Sequence, residues 1–269
     1  MPVELRTPFD PERENLYLAV REKEGRVWPD EQARLLPHPP PKNVFEKEWR
    51  MRRDTYCRYR KYLKIRYGNI PVNILDVGCG NGWMASLLAS SGAGEVWGLD
   101  LNLKELEQAD RVFAQQNLRF VYADVFAADL PKACFHQITL AASVQYFPNF
   151  TALMNKLMGL LRPDGEIHIL DSPFYADEAA RDAARERSNT YFEKIGFPQM
   201  ASRYHHHLRS EIEALGGKDL NGAWLQRLRQ KVGWAAPFPW YRVRTPQPPH
   251  VAQIWTLKTG QISPKVEIE

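Results

Sequence analysis

The chain has 269 residues, 44% hydrophobic and 25% charged, with a formal net charge of +4, which suits one α/β domain with extensions or two small domains. That charge is too mild for a dedicated nucleic-acid binder, although a local basic stripe stays possible. Three scattered cysteines without a CxxC pair exclude a disulfide framework and a zinc ribbon.

Residues 1–45 show no sustained period. Pro37, Pro39, Pro40 and Pro41 break any helix there, so an extended arm with one short helix is expected. Phe45–Tyr67 reads as a helix, with Trp49, Tyr56, Tyr59, Leu63 and Tyr67 on one face and arginines and lysines between them. Gly68, Asn69 and Pro71 stop it.

From Val72 apolar runs alternate with amphipathic ones. Strands are expected at Val72–Val77, Glu95–Asp100, Leu118–Asp124, Gln137–Ala142 and Glu166–Asp171. Helices are expected at Gly82–Ser90, from an Asn102 cap to about Gln116, and from an Asn149 cap to Leu161. This alternation implies βαβ units, hence a parallel sheet with right-handed crossovers. The Val125–Phe135 connection is too short for a full crossover helix. Beyond Asp171 the regularity fails. Asp177–Ile195 and Arg203–Leu215 look like helices of an inserted cap over 173–236, and Trp240–Thr245 and Val251–Lys258 like two late strands within 237–269.

The segment Ile74-Leu-Asp76-Val-Gly78-Cys79-Gly80-Asn81-Gly82-Trp83 runs a strand through glycines into a helix. Glycines let the backbone turn sharply and a ligand lie against bare main chain. A dinucleotide fingerprint needs its third glycine at position 83, where this chain has tryptophan. Asp76 precedes the first glycine by two positions and suits a ligand carrying an ammonium rather than a pyrophosphate. Asp100 and Asp124 stand at the expected ends of the next two strands, where a carboxylate can accept ribose hydroxyls and another acceptor the adenine amino group. Each acid alone is commonly a cap or turn former. Three in a row beside a glycine loop point to a nucleoside site at the carboxyl ends of the strands.

On these residues the sequence resembles the class I S-adenosylmethionine (SAM)-dependent methyltransferases, chiefly over Phe45–Asp171. The resemblance implies a Rossmann-like three-layer α/β sandwich with a seven-stranded, mostly parallel sheet closed by an antiparallel pair. It implies SAM as cofactor, held by Asp76, Gly78, Cys79, Gly80, Asn81, Gly82, Asp100, Leu101, Asp124, Val125, Ala141 and Ser143. Leu160-Leu-Arg-Pro-Asp-Gly165 and Ala142-Ser-Val-Gln-Tyr-Phe-Pro148 are similar to the family's turn before strand 5 and its loop beside the methyl donor. Phe135-His136-Gln-Ile138 departs from the family's Phe-Asp-x-Ile.

Methyl transfer is an in-line displacement in which the enzyme mainly aligns donor and acceptor. Tyr146 and Asp171, after strands 4 and 5, are the expected acceptor-facing catalytic groups. A helix before strand 1 often covers the donor pocket in this family, which brings Tyr56, Tyr59 and Arg60 into question. His205-His-His207, read as helical, cannot converge on one ion, so no metal is expected. A small-molecule acceptor is the leading reading. RNA or protein methylation, supported by the basic helix, and a non-catalytic SAM-binding module are the rivals. Without a leader pattern or an apolar run of about 18 residues, a cytoplasmic protein with no membrane contact is expected. Acceptor atom and oligomeric state stay open.

Overall fold

A computed structural model describes residues 3–6, 10–221 and 237–245. Among them an eight-stranded sheet runs in the order β1-β4-β3-β2-β5-β6-β8-β7. The strands are β1 (Glu4–Leu5), β2 (Ile74–Val77), β3 (Val96–Asp100), β4 (Leu118–Tyr122), β5 (Phe135–Ala141), β6 (Leu161–Leu170), β7 (Lys218–Asp219) and β8 (Tyr241–Arg244). β1 to β6 pair in parallel, and β8 runs antiparallel to both β6 and β7. The order reverses beside β2, whose neighbours are β3 and β5. This switch point opens a crevice at the carboxyl ends of the strands.

Both faces of the sheet are covered, which is why its strands are rich in Val, Ile and Leu rather than alternating. In β2, Leu75 and Val77 join one apolar cluster and Ile74 the other. The first cluster includes Leu153, Met154 and Leu157 of α6 (Phe150–Leu160). The second collects α3 (Glu46–Tyr67), α4 (Trp83–Ser90) and α5 (Leu103–Phe113). α3 turns Trp49, Tyr56 and Tyr59 inward, as its aromatic spacing foretells. Asn102 and Asn149 cap α5 and α6 through their side chains. Asp177 does the same for α7 (Glu178–Ile195).

The core elements match expectation, and four regions do not. The arm is more than an extended segment: β1 adds a strand beside β4, and α1 (Pro11–Lys23) is a full helix, followed by α2 (Asp30–Ala33). Asp10 caps α1, Pro11 opens it, and Glu12 and Glu14 occupy its first turn, all favourable at a helix N-terminus. The expected helix Arg203–Leu215 shrinks to α8 (Arg209–Ala214). Residues 204–207 are non-helical because backbone pairing claims them: Tyr175 N–H donates to His207 O at 3.0 Å and His205 N–H to Gln145 O at 2.7 Å. The turn at Arg162–Gly165 lies within β6, where the register to β5 shifts between Phe135 and Gln137. The partner of β8 is β7, inside the stretch expected to be cap. The expected strand Val251–Lys258 and the turn Pro246–Pro249 lie outside the described residues.

Candidate active site

The loop between β2 and α4 forms the floor. Gly78, Gly80 and Gly82 all have left-handed backbones, with φ of 73°, 53° and 74°, a region that side chains resist. Space is closed as well. A Cβ on Gly78 would run into Ser143, and one on Gly82 would lie 2.6 Å from the Phe120 ring and 2.8 Å from Ala109. Asp100 ties the loop down. Its Oδ2 accepts the Gly80 N–H at 2.7 Å, and its Oδ1 accepts the N–H groups of Leu101 and Asn102 at 2.7 and 3.0 Å.

Two adjoining cavities open on this loop. The smaller, about 500 Å³, is lined by Asp100, Leu101, Asp124, Val125 and Ser143. The larger, about 650 Å³, is lined by Cys79, Asn81, Ala141, Asp171, Glu105 and Arg21. Gly78, Gly80, Tyr17, Ala142, Tyr146 and Met200 line both. Ten of the twelve expected cofactor residues and both expected catalytic residues thus border the paired cavities.

Asp76 and Gly82 border neither. Asp76 is buried beneath the loop, where its Oδ1 accepts the Thr139 hydroxyl at 2.7 Å, and burial pushes its carboxyl up to about 6. Its hydroxyl partner ties it to β5, and it borders neither cavity. Gly82 supports the site through packing, by letting α4 start against Phe120 and Ala109.

The carboxylate beside the glycines is Glu105. It lines the larger cavity, its Oε2 would lie 3.3 Å from a Cβ on Gly80, and burial pushes it up to about 7 despite the nearby Arg21 guanidinium. Arg21 and Tyr17 come from α1, which sequence periodicity overlooks. Tyr146 packs edge-on between Tyr17 and Tyr204 at centroid distances of 5.7 and 5.9 Å. Burial pushes its phenol up, so it stays protonated. The Cys79 thiol is raised for the same reason and is no nucleophile.

Asp171 follows β6 with a left-handed backbone, φ 50°. Its Oδ1 accepts the Thr55 hydroxyl at 2.7 Å, and burial pushes its carboxyl up to about 6. A further wall is an ion-pair relay. Arg26 grips Glu48 through two nitrogens at 2.9 and 2.8 Å, and Arg52 joins at 2.9 Å. Tyr56 and Tyr59 are buried against the sheet and Arg60 is exposed, so the resemblance-based expectation that they reach the ligand is not met. Instead Trp49, Met51 and Arg52 carry α3 to the larger cavity.

The histidine run diverges. His205 borders the smaller cavity, His206 Nε2 meets Ser188 Oγ at 3.0 Å, and His207 is buried with Nε2 3.2 Å from Val144 O. Among the described residues no His, Cys, Asp and Glu cluster could hold a metal ion. No described helix is long and apolar enough to cross a membrane.

Among the described residues, four buried polar atoms of cavity-lining residues have no hydrogen-bond partner. Arg21 Nε and Gln145 Oε1 belong to residues of the larger cavity, and Glu14 Oε2 and Asn102 Nδ2 to residues of the smaller. Such atoms are costly unless something satisfies them. Donors and acceptors together suit a zwitterionic nucleoside, as SAM is.

Comparison with known proteins agrees with this geometry. Residues 74–165 match the family model of a methyltransferase domain. An uncharacterised methyltransferase of Mycobacterium tuberculosis is 28% identical over 180 residues, covering 61% of this chain and 87% of the relative. The 27-O-demethylrifamycin SV methyltransferase of Amycolatopsis mediterranei is 27% identical over 151 residues, covering 55% of this chain and 54% of that one. Among solved structures, magnesium protoporphyrin IX methyltransferase from Synechocystis with bound SAH shares the fold, with TM-score 0.56, 15% identity, and coverage of 88% and 99%. Residues 74–165 are thus a methyltransferase domain, and the chain is similar to SAM-dependent methyltransferases. It is a methyltransferase, and SAM is its cofactor.

Proposed function

We propose that this chain transfers the methyl group of SAM to a small-molecule acceptor held in the larger cavity. The observation that carries this reading is the pair of cavities meeting at Gly78, Gly80, Ala142 and Tyr146. One has the acids and apolar walls a nucleoside needs. The other is a separate chamber with aromatic walls and a carboxylate.

In this reading Leu101 and Val125 sandwich the adenine, Asp124 accepts from its amino group, and Asp100 receives a ribose hydroxyl on Oδ2. Ser143 keeps the loop in place by donating to Val77 O at 2.7 Å. Gly78, Cys79, Gly80, Asn81 and Ala141 offer close main chain to the amino-acid end, whose carboxylate pairs with Arg21 and whose ammonium pairs with Glu105. When bound, the sulfonium supplies an electrophilic methyl group. Asp171, ionised at neutral pH yet more basic than an ordinary carboxylate, takes the proton of an O–H or N–H acceptor. Tyr146, a neutral phenol, donates a hydrogen bond and aligns the acceptor. α1 of the arm and α7 of the cap wall the chamber and set its shape.

Two relatives support a small acceptor by name, the rifamycin SV and magnesium protoporphyrin IX methyltransferases. The basic helix gives nucleic acid little purchase. Trp49, Tyr56 and Tyr59 of α3 face inward, so this helix presents no exposed aromatic to stack bases. A radiolabelled-SAM assay against a low-mass cell extract, with an RNA and a protein fraction beside it, tests the reading. Label in the low-mass fraction alone supports it, and label confined to RNA or protein overturns it.

A further inference from the structure

Glu14 has no place in the family's motifs, yet it is buried to 1% exposure and lines the smaller cavity. Its Oε1 accepts the Lys104 N–H at 2.8 Å, at the start of α5, and its Oε2 has no hydrogen-bond partner among the described residues. A buried carboxylate oxygen left bare is expensive unless another group donates to it.

Asp100, at the end of β3 in the same cavity, has little acceptor capacity left. Each carboxylate oxygen takes about two hydrogen bonds. Asp100 Oδ1 already receives Leu101 and Asn102, while Oδ2 receives Gly80 and keeps one position. Asp100 therefore has room for one ribose hydroxyl, and a ribose has two.

Placement on α1 reinforces the point. Glu14, Tyr17 and Arg21 follow one another at spacings of three and four, so they share a helix face. All three line the paired cavities, so this face is polar and turned toward ligand instead of apolar and turned toward core.

We propose that Glu14 is a second donor-binding carboxylate, whose Oε2 accepts a hydroxyl of the donor ribose beside Asp100. The inference rests on the reading that the smaller cavity holds the nucleoside of SAM. It places an arm residue in direct contact with the donor, so that the chain preceding the methyltransferase domain is part of the binding site.

Calorimetry with S-adenosylhomocysteine and its 2′-deoxy and 3′-deoxy analogues tests this directly. Glu14→Gln keeps an oxygen for Lys104 and removes the charge. It is expected to weaken S-adenosylhomocysteine at least tenfold, while the exposed neighbour variant Glu12→Gln stays within twofold of wild type. For one of the two deoxy analogues the Glu14→Gln effect disappears. Unchanged affinity in Glu14→Gln, with an unaltered melting temperature, overturns the inference and leaves the donor site standing. The wild-type chain gives a second test that needs no variant. Both analogues should bind at least tenfold more weakly than the parent, and affinities within twofold overturn the inference. If the parent ligand itself does not bind the wild-type chain, the reading of the smaller cavity fails and the inference with it.

Discussion

Thr55, midway along α3, donates its hydroxyl hydrogen to Asp171 Oδ1 over 2.7 Å, joining that helix to the residue just after β6. The bond orients a carboxyl that burial has pushed up to about 6. Methyl transfer that needs this base falls off as pH drops below about 6, because protonation removes the acceptor of the proton. Asp171→Asn tolerates the left-handed backbone and keeps an oxygen for Thr55, yet cannot accept a proton. A pH–rate profile should lose its acidic limb and drop at least tenfold at its plateau.

The same group has a stability consequence of opposite sign. Its folded pKa lies above the unfolded value near 3.8, so the stability it contributes is full below pH 4 and lost as pH rises through about 6. Above that range the buried charge costs up to about 3 kcal/mol. Asp171→Asn should therefore melt higher than wild type at pH 8 and show no gain at pH 4, as calorimetric melts would record.

Glu48 provides the contrasting case. Burial pushes its carboxyl up, but Arg26 and Arg52 outweigh burial and hold it down at about 2. Its contribution is present above about 4.5 and lost as pH falls toward 2. Glu48→Gln should cost about 2 kcal/mol at pH 7, discounted for its partial exposure. It should cost little at pH 2. Urea melts at the two pH values separate these outcomes.

Gly82→Ala probes the loop without touching either cavity. The new methyl meets Phe120 and Ala109 on a backbone at φ 74°, and both overpacking and left-handed strain destabilise. A loss of about 3 kcal/mol in a denaturant midpoint series is expected. A loss under about 0.5 kcal/mol would show that α4 shifts freely.

Much of the site was legible because its cues are local. Glycines with positive φ, acids at strand ends and Asn or Asp caps each follow from chemistry within a few residues. The arm was not legible, for a physical reason. Periodicity finds helices by an apolar stripe, whereas α1 turns Glu14, Tyr17 and Arg21 to the cavities. Only the cap at Asp10 and Pro11 marked it. Residues 204–207 misread in the other direction. Their local preferences allow helix, but pairing with Tyr175 and Gln145, distant in sequence, claims the backbone. Asp76 shows a third limit. Its position in the motif suggests ligand contact, whereas the fold buries its carboxyl against the Thr139 hydroxyl.

Asp100 concentrates the central claim, since it both accepts three backbone N–H groups and borders the smaller cavity. The most direct measurement supplies methyl-labelled SAM and a low-mass extract to wild type and to Asp100→Ala, with calorimetric SAM affinity read on both. Wild type should move label into a low-mass product. Asp100→Ala should bind SAM more than tenfold more weakly, about 1.4 kcal/mol or more, with reduced stability because the loop loses its tie. Equal SAM affinity in the two proteins, or wild type that binds SAM and labels no low-mass product, would contradict the account.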